Sequence, residues 1–452
     1  MELLNYINDT AKKFLSIDSN KPIAVYSHYD ADGISSAAII AKVLNALDKK
    51  FFLRILKNLD KEIINEIKKE SNNYACIIFL DFGSNFLREL SNFNIPVFII
   101  DHHRIEGEKK GNVEIINYRF FSDDYETSSS VLVYYFAISL KPQLKKELQK
   151  IALLGLIGDN LDRNLSKLSS LFLKEGKESE GFEVKRGLQV FSYARPLHKA
   201  LEYSNIYIPG ITGKSEEVLR FLKSLGIDYR SNGKYRTLND LTQEEISKLI
   251  TAIATLRVMD NRDIEIIGNV YLINLFNTLE DAREIATLLN ACGRLDRAYV
   301  GVSLLLGRKK SKEFAEKLYI KYKFDILNAL EFFEKELKKI KEENFAIINA
   351  RDAINANVVG TVCSMLINSG LYKDNFIVAG LAYRDDAIKF SIRSKASNVT
   401  KILERVKKIS GLDFEYGGHK NAAGAVIKFS QEEKFIEALE KVLREESLTI
   451  KI

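Results

Sequence analysis

Tryptophan is absent from this 452-residue chain, and cysteine occurs only three times, as Cys76, Cys292 and Cys363. Three isolated cysteines at no metal-ligand spacing exclude a disulfide framework and a zinc ribbon, and point to a reducing compartment. No apolar run approaches the ~20 residues of a membrane span. The longest, such as 95–100 and 151–158, have the length of a strand or a core helix. The opening MELLNYINDTAKKF lacks a basic stretch leading into an apolar one, so no secretory signal is expected and a cytoplasmic location is. Neither sign of charge dominates: 67 Lys+Arg against 61 Asp+Glu leave a net charge of +6. That balance permits a polyanionic partner without requiring one, because a nucleic-acid footprint depends on where charge clusters. Internal repeats and low-complexity tracts are also missing. With 46% hydrophobic and 28% charged residues, the chain is long enough to bury real cores. It reads as roughly two to four domains.

Residues 22–27 (PIAVYS), 75–80 (ACIIFL) and 97–100 (VFII) are short continuous apolar runs. Such runs predict strands covered on both faces, as in a parallel sheet. Helical spacing over 34–47 and a short helical stretch at 85–90 alternate with them, which predicts a doubly wound α/β domain. Ligands of such sheets bind just past the carboxyl ends of the strands, and there the chain carries acid and histidine. His28-Tyr29-Asp30-Ala31-Asp32-Gly33 follows the first run, Asp81 the second and Asp101-His102-His103 the third, while Asp159 follows the apolar segment 151–158. One carboxylate after a strand is ordinarily a helix cap. Four such segments, holding three of the chain's five histidines, are hard to explain as caps. Clustered carboxylates repel, and a bound cation resolves the repulsion. Carboxylates with a minority of imidazoles and no thiolate suit Mn²⁺ or Mg²⁺, and histidine favours Mn²⁺. Six candidate ligands exceed one octahedral shell once water and substrate are counted. Two metals are therefore expected, bridged by one carboxylate at roughly 3.5–4 Å. Such a pair activates water and clamps the oxygens of a phosphoryl centre, the chemistry of phosphoester hydrolysis.

In order and spacing as well as residue type, these motifs resemble the four motifs of the DHH phosphoesterase superfamily. The resemblance implies His28, Asp30, Asp32, Asp81, His102 and Asp159 as metal ligands, with Asp81 bridging. It implies His103 facing the scissile phosphate and Asp101 orienting the histidines. At the place of His28 the family often carries Asp, and a histidine packed at a strand end is the alternative reading.

Residues 128–140 and 143–156 read as helices. Ser128, Ser129 and Ser130 stand at a helix N-terminus, where hydroxyls and N–H groups can hold phosphate. A plain N-cap is the preferred reading. Residues 1–170 are assigned to the metal-binding catalytic domain and 171–309 to a mostly helical insertion. In that insertion Thr242 and Glu245 have capping-box spacing, and His198 stands alone. Asn290-Ala291-Cys292-Gly293-Arg294, a small-residue turn with a basic tip, is similar to a segment of archaeal RecJ-like proteins. Residues 310–343 repeat apolar residues as one long connecting helix. In 344–452, a smaller α/β domain, 345–350, 375–383 and 387–394 are expected strands, the last two paired around Arg384-Asp385-Asp386. Tyr416-Gly417-Gly418-His419, followed by small residues, lets backbone and imidazole approach an anion closely. This run resembles the GGH motif of the DHH-associated substrate domain. The resemblance implies substrate binding by Gly417, Gly418, His419 and Arg393, a surface salt bridge being the alternative for Arg393.

Taken together, the motifs are similar to those of archaeal RecJ-like nucleases, including the type that associates with the GINS replication complex. The resemblance implies a single-strand exonuclease on DNA, RNA or both, working in replication or repair with two Mn²⁺ or Mg²⁺. It adds GINS-type replication proteins as partners, and an interdomain cleft admitting one flexible strand. Two other classes stay open. One is a small-substrate phosphodiesterase for oligonucleotides of a few residues or cyclic dinucleotides, against which the large insertion argues. The other is a replication scaffold like the eukaryotic helicase-associated relative, against which the intact ligand set argues.

Overall fold

Apolar runs of four to six residues build the first sheet in the computed structural model. The structure describes residues 2–17, 20–122, 124–189, 195–204, 206–260, 266–338, 340, 342, 344–369 and 372–449, without the side chains of His419, Leu448 and Thr449. In chain order the elements are α1 (Glu2–Leu15), β1 (Ile23–His28), α2 (Ala31–Ala46), β2 (Phe51–Leu56), α3 (Lys61–Glu70), β3 (Ile77–Leu80), α4 (Leu87–Leu90), β4 (Val97–Ile100), β5 (Val113–Ile116), α5 (Ser129–Leu140) and α6 (Lys145–Gly158). The sheet runs β2-β1-β3-β4-β5 with every pairing parallel. β3 and β4 are buried throughout, as helices on both faces require. On one face Tyr26, Phe79 and Ile99 pack with Ile64 and Ile67 of α3 and Leu87 and Leu90 of α4. On the other, Phe14 of α1 meets Phe98 of β4 and Phe136 of α5 edge-on.

Strand order reverses beside β1, so β1 and β3 are neighbours whose connections leave in opposite directions. A crevice opens at the carboxyl ends there. His28 ends β1, Asp81 follows β3 and Asp101 follows β4. Asp159 arrives differently, as the C-cap of helix α6. The edge strands β2 and β5 escape a search for unbroken apolar runs because each is interrupted by a charged residue at a half-buried position, Arg54 and Glu114.

The chain continues through α7 (Lys167–Glu178), β6 (Glu183–Leu188), α8 (Leu197–Glu202), α9 (Ser215–Ser224), β7 (Arg230–Ser231), β8 (Lys234–Tyr235), α10 (Gln243–Met259), β9 (Ile267–Leu275), β10 (Thr278–Asp281), α11 (Ala282–Arg294), α12 (Ala298–Leu305) and α13 (Lys309–Leu337). Two compact units result: Met1–Arg195 with Ile267–Tyr319, and Pro196–Ile266 with Ile320–Ile452. This division cuts the 171–309 segment. β6 pairs antiparallel with β9, which ties residues before 196 to residues after 266. A strand embedded in a charged stretch and paired across 80 or so residues leaves no local pattern. The capping box of α10 is present, Thr242 Oγ1 accepting from Glu245 N at 3.2 Å and Glu245 Oε2 from Thr242 N at 2.8 Å. The long helix α13 ends at Leu337, short of the expected 343.

The C-terminal sheet is built from β11 (Phe345–Asn349), β12 (Ile377–Arg384), β13 (Ala387–Ser394), β14 (Glu415–His419) and β15 (Ala422–Lys428), with helices α14 (Val359–Ile367), α15 (Val399–Ser410) and α16 (Glu432–Thr449). Its order is β11-β12-β13-β15-β14. β12 and β13 pair as the sequence predicts, turning at Asp385, whose φ is +49°. Phe390 and Ile392 of this sheet pack with Leu403 and Val406 of α15 and Phe435 and Leu439 of α16. No helix among the described residues is long and apolar enough to cross a membrane.

Helix α11 lies so close to the loop after β1 that a Cβ on Gly293 would sit 1.8 Å from the Tyr29 carbonyl oxygen. Backbone cannot yield as a side-chain end can. Gly293→Ala should therefore lower stability by about 1–3 kcal/mol, read as a reduced urea midpoint.

Candidate metal centre

Motif by motif, the loops at the carboxyl ends bring the expected residues together. Asp30 caps α2, one carboxyl oxygen accepting from Gly33 N at 3.1 Å. Its other oxygen lies 3.0 Å from His28 Nδ1. Asp32, one turn on, is buried and reaches the start of α5, accepting from Ser129 N at 2.7 Å and Ser130 N at 2.9 Å. The first N–H groups of a helix have no partner within it, and here a carboxylate of another motif satisfies two of them. Ser128 is the N-cap. The N–H groups that could have held phosphate hold Asp32 instead.

Asp81 is buried and adopts φ +64°, a left-handed conformation rare for a residue with a side chain. Ser129 Oγ donates to its Oδ1 at 2.9 Å. Its Oδ2 lies 3.3 Å from His28 Nδ1, and its Oδ1 lies 3.5 Å from His102 Nε2. The same His102 nitrogen is 3.6 Å from Asp159 Oδ2. Asp101 is buried and does other work. It accepts from Ser84 N at 3.0 Å, His102 N at 2.8 Å and His103 N at 3.1 Å, and its Oδ1 lies 2.7 Å from His103 Nδ1. It thereby sets both the backbone of the histidine pair and the ring of His103.

The candidate ligand atoms fall into three overlapping groups, each spanning no more than 4.8 Å: His28, Asp30 and Asp81; Asp32, Asp81, His102 and Asp159; Asp81, His102 and His103. Asp81 belongs to all three. Burial, followed by the charges of Asp30 and Asp32, pushes the Asp81 carboxyl well above its ordinary range, and burial with Asp32 does the same to Asp159. Burial raises Asp32 to about 6. Burial would lower His28, but the Asp30 carboxylate outweighs it and raises the imidazole to about 9. Carboxyls whose ionisation is opposed by burial and by one another gain from a bound cation that neutralises them. Oxygen donors with two or three imidazoles fit hard divalent ions of the Mn²⁺ or Mg²⁺ kind.

Three residues support the site, and two of them, Asn117 and Arg119, lay outside the sequence reading. Asn117 donates to the His103 carbonyl at 2.9 Å and to Ser84 Oγ at 2.8 Å, and Arg119 Nε donates to the His102 carbonyl at 3.0 Å. Both are lone polar residues behind an unrecognised edge strand, without any signal. Asn290 had one in its small-residue segment. Its Oδ1 accepts from Ala31 N at 2.9 Å, between Asp30 and Asp32, and its Nδ2 lies 3.5 Å from the carbonyl of Gly158, beside Asp159.

The anion-binding candidates lie in the second unit. Arg393 on β13 and His419 on β14 both register with Ala422 of the intervening β15, so they share one cross-strand row. Arg393 Nε donates to Ser364 Oγ at 2.8 Å and Nη1 to the Ala423 carbonyl at 3.0 Å. Gly418 has φ +139°, and a Cβ there would meet the Ala422 carbonyl at 2.3 Å, so this bend in β14 needs glycine. Gly417 pairs with Gly424. The His419 side chain lies outside the described residues.

Three family models match in sequence: the DHH family, N-terminal domain over residues 22–158, the DHH-CID domain over 192–270 and the DHHA1 domain over 342–445. The chain belongs to the DHH superfamily of hydrolases. Within it the fold is RecJ-like. Exonuclease RecJ bound to manganese superposes with a TM-score of 0.60 at 18% identity, covering 97% of this chain and 94% of that one. RecJ of Thermus thermophilus in complex with Mn²⁺ also gives 0.60 at 18% identity, over 97% of this chain and 55% of that one. CDC45 from Entamoeba histolytica gives 0.67 at 12% identity, over 98% of each chain. An uncharacterized protein of Methanocaldococcus jannaschii is 26% identical over 438 residues, 94% of both chains. At these identities the solved structures speak for fold.

Two measurements test the centre. Metal affinity should rise with pH through about 6, because Asp32 must release its proton to bind. In the metal-free protein the same group removes stability as pH climbs from its ordinary 3.8 to about 6, since the unfolded chain ionises it first. Calorimetric Mn²⁺ titration across that range, and melting with and without Mn²⁺, read both. Asn290→Ala, which frees the loop between two ligands, should weaken Mn²⁺ binding or turnover roughly ten- to a hundredfold. An unchanged titration would show that Asn290 does not position the ligands.

Proposed function

We propose that this chain is a two-metal phosphodiesterase that removes nucleotides from the end of a single strand of DNA or RNA, with Mn²⁺ preferred and Mg²⁺ able to substitute. The observation that carries the reading is Asp81, the one residue common to all three candidate ligand groups. A carboxylate in that position suits a bridge between two cations. When bound, such cations supply a nucleophile at neutral pH and neutralise charge at the phosphoryl centre. The chain's own groups position and orient. Ser129 holds Asp81, the N-terminus of α5 holds Asp32, and Asp101 holds the His103 ring, which then faces the scissile phosphate. Arg393, Gly417, Gly418 and His419 bind a substrate anion, Arg393 and His419 standing in one row of the C-terminal sheet and the two glycines preceding His419 on its strand. The RecJ-like fold and the manganese-bound RecJ structures support this reading.

The CDC45 likeness, which spans 98% of each chain, favours a second role as a replication component that docks GINS-type proteins. The intact set of carboxylates and histidines argues that any such role accompanies catalysis.

Purified protein with Mn²⁺ should shorten 5′- or 3′-labelled single-stranded DNA or RNA stepwise and leave a blunt duplex nearly intact. Asp81→Ala should lose more activity than the ~100-fold typical of a lost outer partner. Near-normal activity in that variant would overturn the two-metal reading. Turnover of a dinucleotide without turnover of long strands would move the assignment to a small-substrate phosphodiesterase.

A further inference from the structure

Residues 229–236 read Tyr-Arg-Ser-Asn-Gly-Lys-Tyr-Arg, three cations and two tyrosines with no acid. They form the β7–β8 hairpin, in which Arg230 pairs with Tyr235 and Ser231 with Lys234. Asn232 and Gly233 close it at φ +49° and +75°, the geometry a two-residue hairpin turn favours. This turn brings the aromatic and cationic groups together. The rings of Tyr229 and Tyr235 lie 6.3 Å apart and 24° from parallel. The Arg230 guanidinium carbon is 4.5 Å from the Tyr235 centroid and 5.7 Å from that of Tyr229. His198 of α8 packs against Tyr235 at 4.9 Å.

A satellite core would hide such rings. Here Tyr235 is 47% exposed, and Arg230 and Lys234 are exposed beside it. Nearby on α8, Lys199 lies 5.4 Å over the ring of Tyr203, which is 38% exposed. Lys199 and Arg236 are ion-paired with Glu202 and Glu245, which leaves Arg230 and Lys234 as the cations beside the exposed ring of Tyr235. Exposed rings flanked by such groups match the surfaces that take bases on their faces and phosphates on their flanks. Bases present free faces only when unpaired, and an arginine plane stacks on them as an aromatic ring does.

We propose that this hairpin is a stacking site for single-stranded nucleic acid, carried on the compact unit that does not hold the metal centre. The proposal rests on the reading of the chain as a strand-processing enzyme and supplies a second hold on the strand. Tyr235 and Arg230 carry the stacking, while Lys234 and Arg230 neutralise phosphates.

The test is fluorescence anisotropy of the full chain with labelled oligothymidylate in Ca²⁺, over a salt series. Tyr235→Ala should weaken binding roughly five- to a hundredfold, and Tyr235→Phe, which keeps the ring, should bind normally. Arg230→Ala should weaken binding and reduce the slope of log affinity against log salt by about 0.7. Dinucleotide hydrolysis in Mn²⁺ should be the same in all three. Thermal melts report folding, and should Tyr235→Ala fail to fold, the exposed Arg230→Ala decides. Unchanged oligothymidylate affinity in the folded variants overturns the proposal even if the wild type hydrolyses dinucleotides. Binding that depends on Tyr235 in a wild type without hydrolytic activity upholds the site and removes the hydrolase reading.

Discussion

Buried negative charge is the constraint around which the first unit is arranged. Asp32, Asp81 and Asp101 are all sealed from solvent, and a lone buried carboxylate is too costly to keep ionised. Each meets the cost by a different means. Asp101 collects backbone N–H groups and an imidazole, so it is held well below the usual carboxylate range in spite of its burial. Asp32 takes the open end of α5. Asp81 has Ser129, but burial and the facing charges of Asp30 and Asp32 hold its carboxyl well above the usual range. The fold thus separates Asp101, already satisfied, from the candidate ligand carboxylates Asp81 and Asp159, which are not. The strained backbone of Asp81 is consistent with this, since strain persists where surrounding structure dictates the position.

Much of this was legible in the chain itself. Unbroken apolar runs marked β1, β3 and β4, because strands covered on both faces need apolar residues at every position. The acids and histidines just past those runs marked the crevice. What was hidden was half-exposed or distant. β2 and β5 are each broken by one charged residue, and β6 lies in a charged stretch, paired with β9 far along the chain. Ser129 and Ser130 read as a cap, and only geometry shows that their N–H groups reach across to Asp32. Asn117 and Arg119 act through hydrogen bonds to the carbonyls of His103 and His102, which no spacing rule reveals.

The second unit shows the same division between pattern and contact. Gly417 and Gly418 signal a close approach of backbone, and the hairpin closed by Asn232 and Gly233 was not read from the sequence. Neither glycine of the first pair announces its neighbours. Arg393 comes to the row of His419 through two antiparallel pairings. The tyrosines of the hairpin are brought face to face by a two-residue turn, although their abundance in the composition could not say where a platform would stand.

The hydrogen bond between Ala31 and Asn290 spans 259 positions of the chain. All the candidate ligands are synthesised within the first 159 residues, yet the side chain that ties their loops together comes much later, after an entire segment belonging to the other unit. A nascent chain that has delivered every ligand therefore still lacks the clasp that sets them at working distance. Long-range closures of this kind are slow. In a growing polypeptide the candidate centre therefore matures late, only after the 196–266 segment of the other unit has been made.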